Sequence, residues 1–318
     1  MKALVTGAAG FAGSHLIAAL ARRLGGPIDG AYRPGIEILP EATSKLTRPH
    51  ALDVTDPEGC RAVLARVKPT HLFHLAGPAQ VGDSYHQATE VVRTVVLGAV
   101  NLLEAAATLP EPPRVLLISS AEVYGDSART VDPLTEETAP LPNSPYAAAK
   151  LASEAYAIYA TRQGRVPTVI ARPFNHIGPR QSPAFVASAF AKQIAEAELA
   201  GAATTEIRVG NLSAERDFTD VRDIVEGYVL LAERGTPGEV YNLTSGECLR
   251  TGQLLERLLA RSKASLRVTH DPARDRMVDV PHRRGSAQRA RALGWKPIHS
   301  LDDTLDALLD SWRAAARA

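Results

Sequence analysis

The sequence predicts an α/β fold, in which a doubly wound parallel sheet is followed by a smaller α+β C-terminal lobe. Short apolar runs alternate with helical patterns through the first half of the chain, and a glycine-rich turn follows the first run. Such alternation is typical of βαβ units, which build a parallel sheet covered on both faces. The second half is less regular, so we expect a first domain over 1–174, with 211–235 returning to it, and a second lobe over 175–318.

Apolar runs and helical periodicity place the elements of the first domain. The first run is continuous, and the helix after it has Leu16, Ile17, Leu20 and Leu24 on one face. Strands are predicted at Lys2–Thr6, Ile28–Tyr32, His50–Val54, His71–Ala76, Val115–Ser119 and Thr168–Arg172. Helices are predicted at Ser14–Leu24, Pro57–Val67, Thr89–Thr108 and Ser144–Thr161. The polar segment Arg33–Pro49 is expected to be a mobile loop.

Weaker patterns place the elements of the second half. Helices are predicted at Ala184–Leu199, Val221–Glu233 and Thr251–Arg261, and strands at Thr205–Val209, Glu239–Leu243 and Ser265–Thr269. The tail Ser286–Arg317 is expected to contain two helices around Gly294-Trp295-Lys296-Pro297.

Composition and charge exclude several classes of protein. The chain has 318 residues, of which 45% are hydrophobic and 22% charged, as in ordinary soluble enzymes. Lys and Arg number 36 against 35 Asp and Glu, a balance that disfavours nucleic acid or an anionic membrane as partner. The two cysteines and the histidines lack disulfide or metal-ligand spacing, so no metal is expected. No signal peptide and no bilayer-spanning apolar stretch is found, so we expect a cytoplasmic protein.

The glycine-rich turn lies between the first strand and the first helix. Gly7, Gly10 and Gly13 form a G-x-x-G-x-x-G motif, with Phe11 at the start of the helix. Glycines there allow a tight turn and close approach of a pyrophosphate, and the helix N-terminus offers free N–H groups to it. The motif in this context predicts a Rossmann dinucleotide-binding domain, with these four residues in the cofactor site.

The end of the second strand distinguishes the two nicotinamide dinucleotides. An acid there would bind the ribose 2′-OH of NAD, but Asp29 comes too early and the strand end carries Arg33. Because a cation suits the 2′-phosphate, NADP(H) is favoured and NAD(H) is the alternative. Asp53 would accept from the adenine amine, or otherwise only cap the helix that starts near Asp56. The remaining cofactor contacts are expected at the ends of the next two strands, at Val54, Leu75, Ala76 and Gly77.

A tyrosine and a lysine stand one turn apart on one predicted helix face, at Tyr146 and Lys150. A lysine ammonium beside a phenol favours the phenolate, so we expect it to lower the pKa of Tyr146. Such a tyrosine can exchange a proton with a carbonyl or hydroxyl oxygen while a nicotinamide transfers hydride, so both side chains are also expected beside the cofactor. Ser120 follows the strand Val115–Ser119, where its hydroxyl could bond the same substrate oxygen.

With these residues the chain resembles, nearly end to end, the extended short-chain dehydrogenases/reductases that act on nucleotide sugars. The resemblance implies that Ser120, Tyr146 and Lys150 are the catalytic triad. Besides the glycine motif and the triad, the matching stretches are Tyr124-Gly125, Arg172-Pro173-Phe174-Asn175, Arg216-Asp217-Phe218 and Gly294-Trp295.

Within that family, the segment 175–181 resembles the branch of GDP-4-keto-6-deoxymannose reductase and GDP-mannose dehydratase, and the segments 190–195 and 271–281 resemble the reductase. The segment 271–281 has Met277 where the family usually has proline. The resemblance implies a GDP-sugar substrate, with Arg216 and Arg276 directed toward its diphosphate and Asp279 close to the nucleotide. The full set of substrate-binding residues that it implies is Ser120, Glu122, Asn175, Arg180, Lys192, Arg216, Arg276 and Asp279.

Two activities of this branch remain open. The favoured one is NADPH-dependent reduction of the C4 ketone of GDP-4-keto-6-deoxy-D-mannose to a GDP-6-deoxyhexose such as GDP-D-rhamnose. The alternative is a GDP-mannose 4,6-dehydratase, because the family's dehydratases use a Glu in the slot of Glu122 as base, although they carry Thr where this chain has Ser120. Another nucleotide-sugar epimerase or dehydratase, or an NADP-sensing regulator without activity, are further alternatives; an intact triad disfavours the regulator.

The same resemblance implies a homodimer. Family members usually associate through two helices per subunit, here Thr89–Thr108 and Ser144–Thr161. The second helix carries small residues that permit close helix approach or, alternatively, packing against the sheet, at Ala147, Ala148, Ala149, Ala152 and Ala155.

Overall fold

A seven-stranded parallel sheet forms the centre of the protein. The computed structural model describes residues 1–35, 41–201, 204–275 and 280–317. The sheet strands are β1 (Ala3–Thr6), β2 (Ile28–Tyr32), β3 (Thr47–Ala51), β4 (His71–His74), β5 (Arg114–Ile118), β6 (Thr168–Pro173) and β11 (Val240–Leu243). They lie in the order β3-β2-β1-β4-β5-β6-β11. The predicted doubly wound α/β class is confirmed.

Short strands outside the central sheet pair with one another in smaller sheets. They are β7 (His176–Ile177), β8 (Thr205–Val209), β9 (Glu215–Asp217), β10 (Thr219–Asp220), β12 (Cys248–Arg250), β13 (Leu266–His270) and β14 (His282–Arg283). The helices are α1 (Phe11–Leu24), α2 (Glu41–Ser44), α3 (Pro57–Val67), α4 (Val81–Ser84), α5 (Ala88–Val92), α6 (Gly98–Ala107), α7 (Pro145–Arg162), α8 (Val186–Ala200), α9 (Val221–Arg234), α10 (Thr251–Leu259), α11 (Gln288–Ala292) and α12 (Leu301–Arg317).

Helices cover both faces of the central sheet. On one face, α1 and α9 bury Leu16, Leu20 and Ile224 against the strands. On the other face, α3 and α6 bury Leu64 and Leu102 in a second apolar cluster. Because the inner strands are buried on both sides, the sheet is enclosed and its carboxyl edge is the natural place for a ligand.

The second lobe has a core of its own, built on α8, α10 and α12. Phe190, Ile194, Leu254 and Leu308 are buried together there, and β8 and β13 pair beside them. None of the helices in the described ranges is long and apolar enough to cross a membrane.

Three sequence expectations differ from the structure. The third strand is Thr47–Ala51 rather than His50–Val54, because it is a polar edge strand whose residues are mostly partly buried or exposed, so apolar patterning misses it. The segment expected to be a loop holds α2 and the start of β3, and its residues 36–40 lie outside the described ranges. The helix expected at Thr89–Thr108 contains a π-helical turn at Arg93–Leu97 between α5 and α6.

The expected second lobe also contributes to the central sheet. β11 lies within 175–318, yet it pairs in parallel with β6, and α9 packs against α1. The division at residue 174 stays a prediction.

Candidate active site

The glycine-rich turn opens the cleft at the carboxyl edge of the sheet. Helix α1 starts after Gly10, which has no side-chain cap, and its first turn holds no acidic residue. The N–H groups and the positive end of the helix dipole are therefore available to an anion.

The backbone around this turn is too close for side chains. Gly7 has a φ of +70°, and a Cβ there would lie 2.8 Å from the Ala76 nitrogen. A Cβ on Gly13 would lie 2.1 Å from the Gly7 oxygen. Only glycine satisfies these approaches, and the resulting cradle fits the diphosphate of a dinucleotide.

We expect Gly13→Ala to weaken NADPH binding by at least about tenfold, because the new methyl group would push the Gly7 carbonyl out of the cradle. Helix propensity alone would predict a more stable α1 in this variant, because alanine ordinarily stabilises a helix relative to glycine. Fluorescence titration with NADPH measures the effect. Gly26→Ala is the matched control, since a Cβ there meets open space. Unchanged NADPH affinity of Gly13→Ala would contradict the prediction.

A cavity of about 530 Å³ extends from the turn along the strand ends. Asp53 in this cavity accepts from the backbone N–H and the hydroxyl of Thr55, and these bonds lower the pKa of Asp53. Asp56, not Asp53, is the N-cap of α3. The cavity lining includes the predicted cofactor contacts Gly7, Gly10, Arg33, Asp53, Val54, Leu75, Ala76 and Gly77.

A second cavity of about 250 Å³ adjoins the first and contains the predicted catalytic residues. Helix α7 begins at Pro145 after the N-cap Ser144, whose hydroxyl accepts from the Ala147 N–H at 3.1 Å. This start fixes Tyr146 in the first turn and Lys150 one turn later, both buried and both lining the cavity. The same cavity is lined by the predicted residues Phe11, Gly13, Ser120, Glu122 and Asn175.

Tyr146 and Lys150 have different partners. Tyr146 forms a side-chain hydrogen bond with Ser120. The Lys150 Nζ donates to the Ile118 oxygen at 2.7 Å and lies 5.8 Å from the centre of the Tyr146 ring. A substrate oxygen in this cavity can therefore meet the Tyr146 and Ser120 hydroxyls together, with an ammonium group behind them.

Burial controls the protonation of both groups. It raises the pKa of Tyr146, an effect that the Ser120 hydrogen bond opposes and the charge of Glu122 adds to. Burial lowers the pKa of Lys150 to about 8, against the opposing charge of Glu154. The expected net fall of the Tyr146 pKa is wrong for this structure, because desolvation of the phenolate dominates.

Glu122 enters the same cavity from the 3₁₀ turn Ala121–Tyr124. Its carboxylate accepts a charge-assisted hydrogen bond from the Arg283 Nη1 at 2.5 Å. Both side chains are largely buried, with 15% and 4% of their surface exposed. The carboxylate therefore faces the reacting centre already paired with a cation.

A third cavity of about 280 Å³ shares Asn175 and Val186 with the second. Three arginines of the described ranges line it: Arg208, Arg216 and Arg274. Guanidinium groups suit phosphate oxygens, because their planar fork donates two hydrogen bonds at once. The three cavities thus form one continuous cleft, with the catalytic residues in its middle.

A family model described as GDP-mannose 4,6 dehydratase matches residues 4–308 of the chain. The chain belongs to the GDP-mannose 4,6-dehydratase family. The resemblance to extended short-chain dehydrogenases/reductases of the nucleotide-sugar type is thereby confirmed, as is the prediction of an NAD(P)-dependent nucleotide-sugar oxidoreductase.

Individual relatives share the whole length of the chain. GDP-6-deoxy-D-mannose reductase of Pseudomonas aeruginosa is 34% identical, over 99% of this chain and 98% of the relative. The structure of RMD from P. aeruginosa complexed with NADPH has a TM-score of 0.84 at 33% identity, covering 99% of this chain and 100% of that one. UDP-glucose 4-epimerase of Thermus thermophilus, in complex with NAD, has a TM-score of 0.84 at 26% identity, covering 99% of this chain and 100% of that one.

Two substrate residues that the family resemblance implied lie elsewhere. Lys192 is on the side of α8 away from Phe190 and pairs with Glu196 at 3.6 Å, with its Nζ over the ring of Trp312. It lines none of the three cavities, because α8 turns it toward α12. The role of Lys192 in substrate binding stays a prediction.

Arg180 is also absent from the lining of the three cavities. Its Nη1 donates to the Thr43 hydroxyl at 2.8 Å, and its backbone has a φ of +73°. Arg276 and Asp279, the other two substrate residues drawn from the family motif, lie outside the described residues. Within the part of the chain that the structure describes, no cluster of three or more His, Cys, Asp or Glu side chains could hold a metal ion.

Several lining residues of this family member were missed by sequence reasoning. Arg283 and Tyr228 line the central cavity, and His176 stacks on Phe11 there with ring centres 5.8 Å apart. Along β8, Arg208 lies between the buried Ile207 and Val209. This alternation could have predicted that Arg208 faces the side of the strand opposite to the core. The other residues come together only through long-range folding and carry no local signal.

Proposed function

We propose that the protein reduces the C4 ketone of GDP-4-keto-6-deoxy-D-mannose with NADPH, giving a GDP-6-deoxyhexose such as GDP-D-rhamnose. One observation carries the proposal: Tyr146, Ser120 and Lys150 lie between a dinucleotide cradle and an arginine-lined cavity in one cleft. The reductase of P. aeruginosa and the NADPH complex of RMD support the choice of reaction and of cofactor. NAD(H) stays the alternative cofactor, since a more distant neighbour binds NAD.

Tyr146 is the proton donor in this reaction. NADPH, when bound in the cradle, supplies a hydride to the ketone carbon. The raised pKa of Tyr146 keeps its phenol protonated at neutral pH, so it can deliver a proton to the C4 oxygen. Ser120 donates a hydrogen bond to the same oxygen, and the Lys150 ammonium stabilises the phenolate that is left behind.

The arginine-lined cavity would hold the nucleotide part of the substrate. Arg216 is buried, so its guanidinium group has little freedom to move, whereas Arg208 is more exposed. Arg274 pairs with Asp271 at 3.3 Å beside this cavity. A diphosphate bound there would leave the sugar near Asn175, which borders both cavities.

A 4,6-dehydratase is the second candidate, and Glu122 is the observation that favours it. A carboxylate beside the reacting centre could remove the proton at C5. In this structure, however, that carboxylate is paired with Arg283. Reduction therefore fits the site better.

Two parallel incubations test the proposed function. Purified protein is given GDP-mannose alone, and separately GDP-4-keto-6-deoxy-D-mannose with NADPH, and the products are resolved by mass. A gain of two hydrogens on the keto sugar, with GDP-mannose untouched, is the expected result. Loss of water from GDP-mannose would instead assign a dehydratase.

Arg33→Ala should raise the KM for NADPH by about tenfold or more, because Arg33 borders the cofactor cavity at the strand end where a 2′-phosphate would lie. The KM for NADH, which has no such phosphate, should change little. Initial rates with each cofactor give both values. Arg61→Ala, which removes a surface arginine paired with Glu58, is the control. An equal loss with NADH and NADPH would assign Arg33 some other role.

We further propose that the protein is a homodimer. On α7, Ala148, Ala152, Ala155 and Tyr159 form an exposed stripe at helical spacing. Large apolar side chains are also exposed on the neighbouring helical segment, at Val92 and Leu97. A second subunit covering these groups would bury them, and light scattering would give the mass in solution. A cytoplasmic location stays a prediction.

A further inference from the structure

Arg283 and Glu122 form a buried ion pair inside the catalytic cavity, between residues 161 positions apart in the chain. Arg283 lies on β14 and Glu122 on the 3₁₀ turn after β5. Both line the same cavity as Tyr146 and Ser120, and the negative charge of Glu122 acts to raise the pKa of the Tyr146 phenol. The pair is therefore part of the reacting environment.

A contribution to the stability of the fold does not explain this ion pair well. The desolvation cost of burying two charges can exceed their attraction, and apolar residues of the same size often stabilise a core better. The Arg283 Nε, moreover, is buried and has no hydrogen-bond partner among the described residues. An incompletely satisfied cation beside a reacting centre points to a role in the chemistry.

The same cavity also holds what proton removal beside a ketone would need. Hydrogens on the carbons that flank a C4 ketone are acidic, because the resulting enolate places its charge on the carbonyl oxygen. Tyr146 and Ser120 are positioned to donate hydrogen bonds to that oxygen. A nearby unpaired carboxylate could therefore act as the base.

We infer that Arg283 restricts this site to ketone reduction, because its ion pair prevents Glu122 from removing a proton beside the C4 ketone. Arg283 is in this sense a specificity-determining residue, and the inference rests on the proposed reductase function. Without the pair, a Glu122 oxygen would take the proton and the C–H electrons would form the enolate. The carboxyl proton would then exchange with solvent, and return of a solvent-derived hydrogen to the same carbon would regenerate the ketone, with no net oxidation or reduction.

The step can be observed as hydrogen exchange in D₂O. Wild-type protein and Arg283→Gln are incubated with NADP⁺ and GDP-4-keto-6-deoxy-D-mannose, without reductant. Uptake of deuterium is followed by mass and its position by NMR, after subtraction of exchange without enzyme. We expect Arg283→Gln to exchange a hydrogen beside C4 at least about tenfold faster than wild type. Arg283→Met, which also removes the charge, should show the same gain.

Two further variants assign the effect to the ion pair. Arg284→Gln is the matched control, since the neighbouring Arg284 pairs with Asp132 at the surface, and its exchange should equal that of wild type. The double variant Arg283→Gln/Glu122→Gln should lose the gained exchange, because the base is removed.

Failure of the inference can be separated from failure of the proposed function. If wild type reduces the keto sugar and a folded Arg283 variant exchanges no faster, the inference alone is overturned. Persistent fast exchange in the double variant would also overturn it. If wild type does not reduce the keto sugar with NADPH, the proposed function falls, and the inference with it. Thermal unfolding and NADPH titration establish which Arg283 variant is folded.

Discussion

Tyr146→Phe is expected to lower kcat for ketone reduction by about 10³-fold, while NADPH affinity stays within about twofold. The phenol hydroxyl is the group placed to protonate the substrate oxygen, and its raised pKa keeps that proton in place at neutral pH. Phenylalanine preserves the ring, which packs in a buried cluster with Val91, Val95 and Ala149. Steady-state kinetics and fluorescence titration measure the two quantities separately.

The expected loss of kcat is specific to the Tyr146 hydroxyl and should not follow from removing the hydroxyl of another tyrosine. Tyr159→Phe is the matched control, because Tyr159 lies on the same helix with half of its side chain exposed. Its kcat should equal that of wild type. A Tyr146→Phe enzyme that retained more than about a tenth of the wild-type kcat would require another proton donor.

The sequence predicted those parts of the molecule whose signals are local. β1, β5 and β6 are buried apolar runs, and such runs can be read without knowledge of neighbouring strands. Tyr146 and Lys150 are equally local, because a spacing of one helical turn already places them on one face.

Features that depend on long-range contacts could not be predicted. The strand β3 lies at the sheet edge and is polar, so only its pairing with β2 reveals it. The partnership of Glu122 with Arg283 joins segments 161 residues apart. Lys192 was placed by a family motif, whereas the rotation of α8 against α12 decides which way it faces.

The response of Tyr146 to its surroundings also required the structure. From spacing alone, Lys150 is expected to favour the phenolate. Burial opposes this expectation because it disfavours the charged form of each group. It raises the pKa of the phenol and lowers the pKa of the amine. Depth below the surface is set by the packing of α7 on the sheet, which no local pattern reports.

Lys150→Met should reduce kcat by at least about 100-fold, because it removes the cation that stabilises the phenolate. The same change should leave the free energy of unfolding at pH 7 within about 1 kcal/mol of the wild-type value, or raise it. Methionine is unbranched and only one heavy atom shorter than lysine, and it ends the cost of burying an ammonium group, although the hydrogen bond to the Ile118 oxygen is lost. Lys263→Met, at an exposed position, is the control and should change neither quantity.

The stability of Lys150→Met relative to wild type should depend on pH in a defined direction. The Lys150 pKa is about 8 in the folded protein and about 10.5 in the unfolded chain, a difference of about 3 kcal/mol. Below about pH 8 both states carry the proton, so the cost of burial is present in full. Between these two values the unfolded chain binds more protons, so wild type gains stability relative to the variant as pH rises. Urea unfolding of both proteins from pH 7 to 10 measures the gain, and a pH-independent difference would show that Lys150 keeps its ordinary pKa.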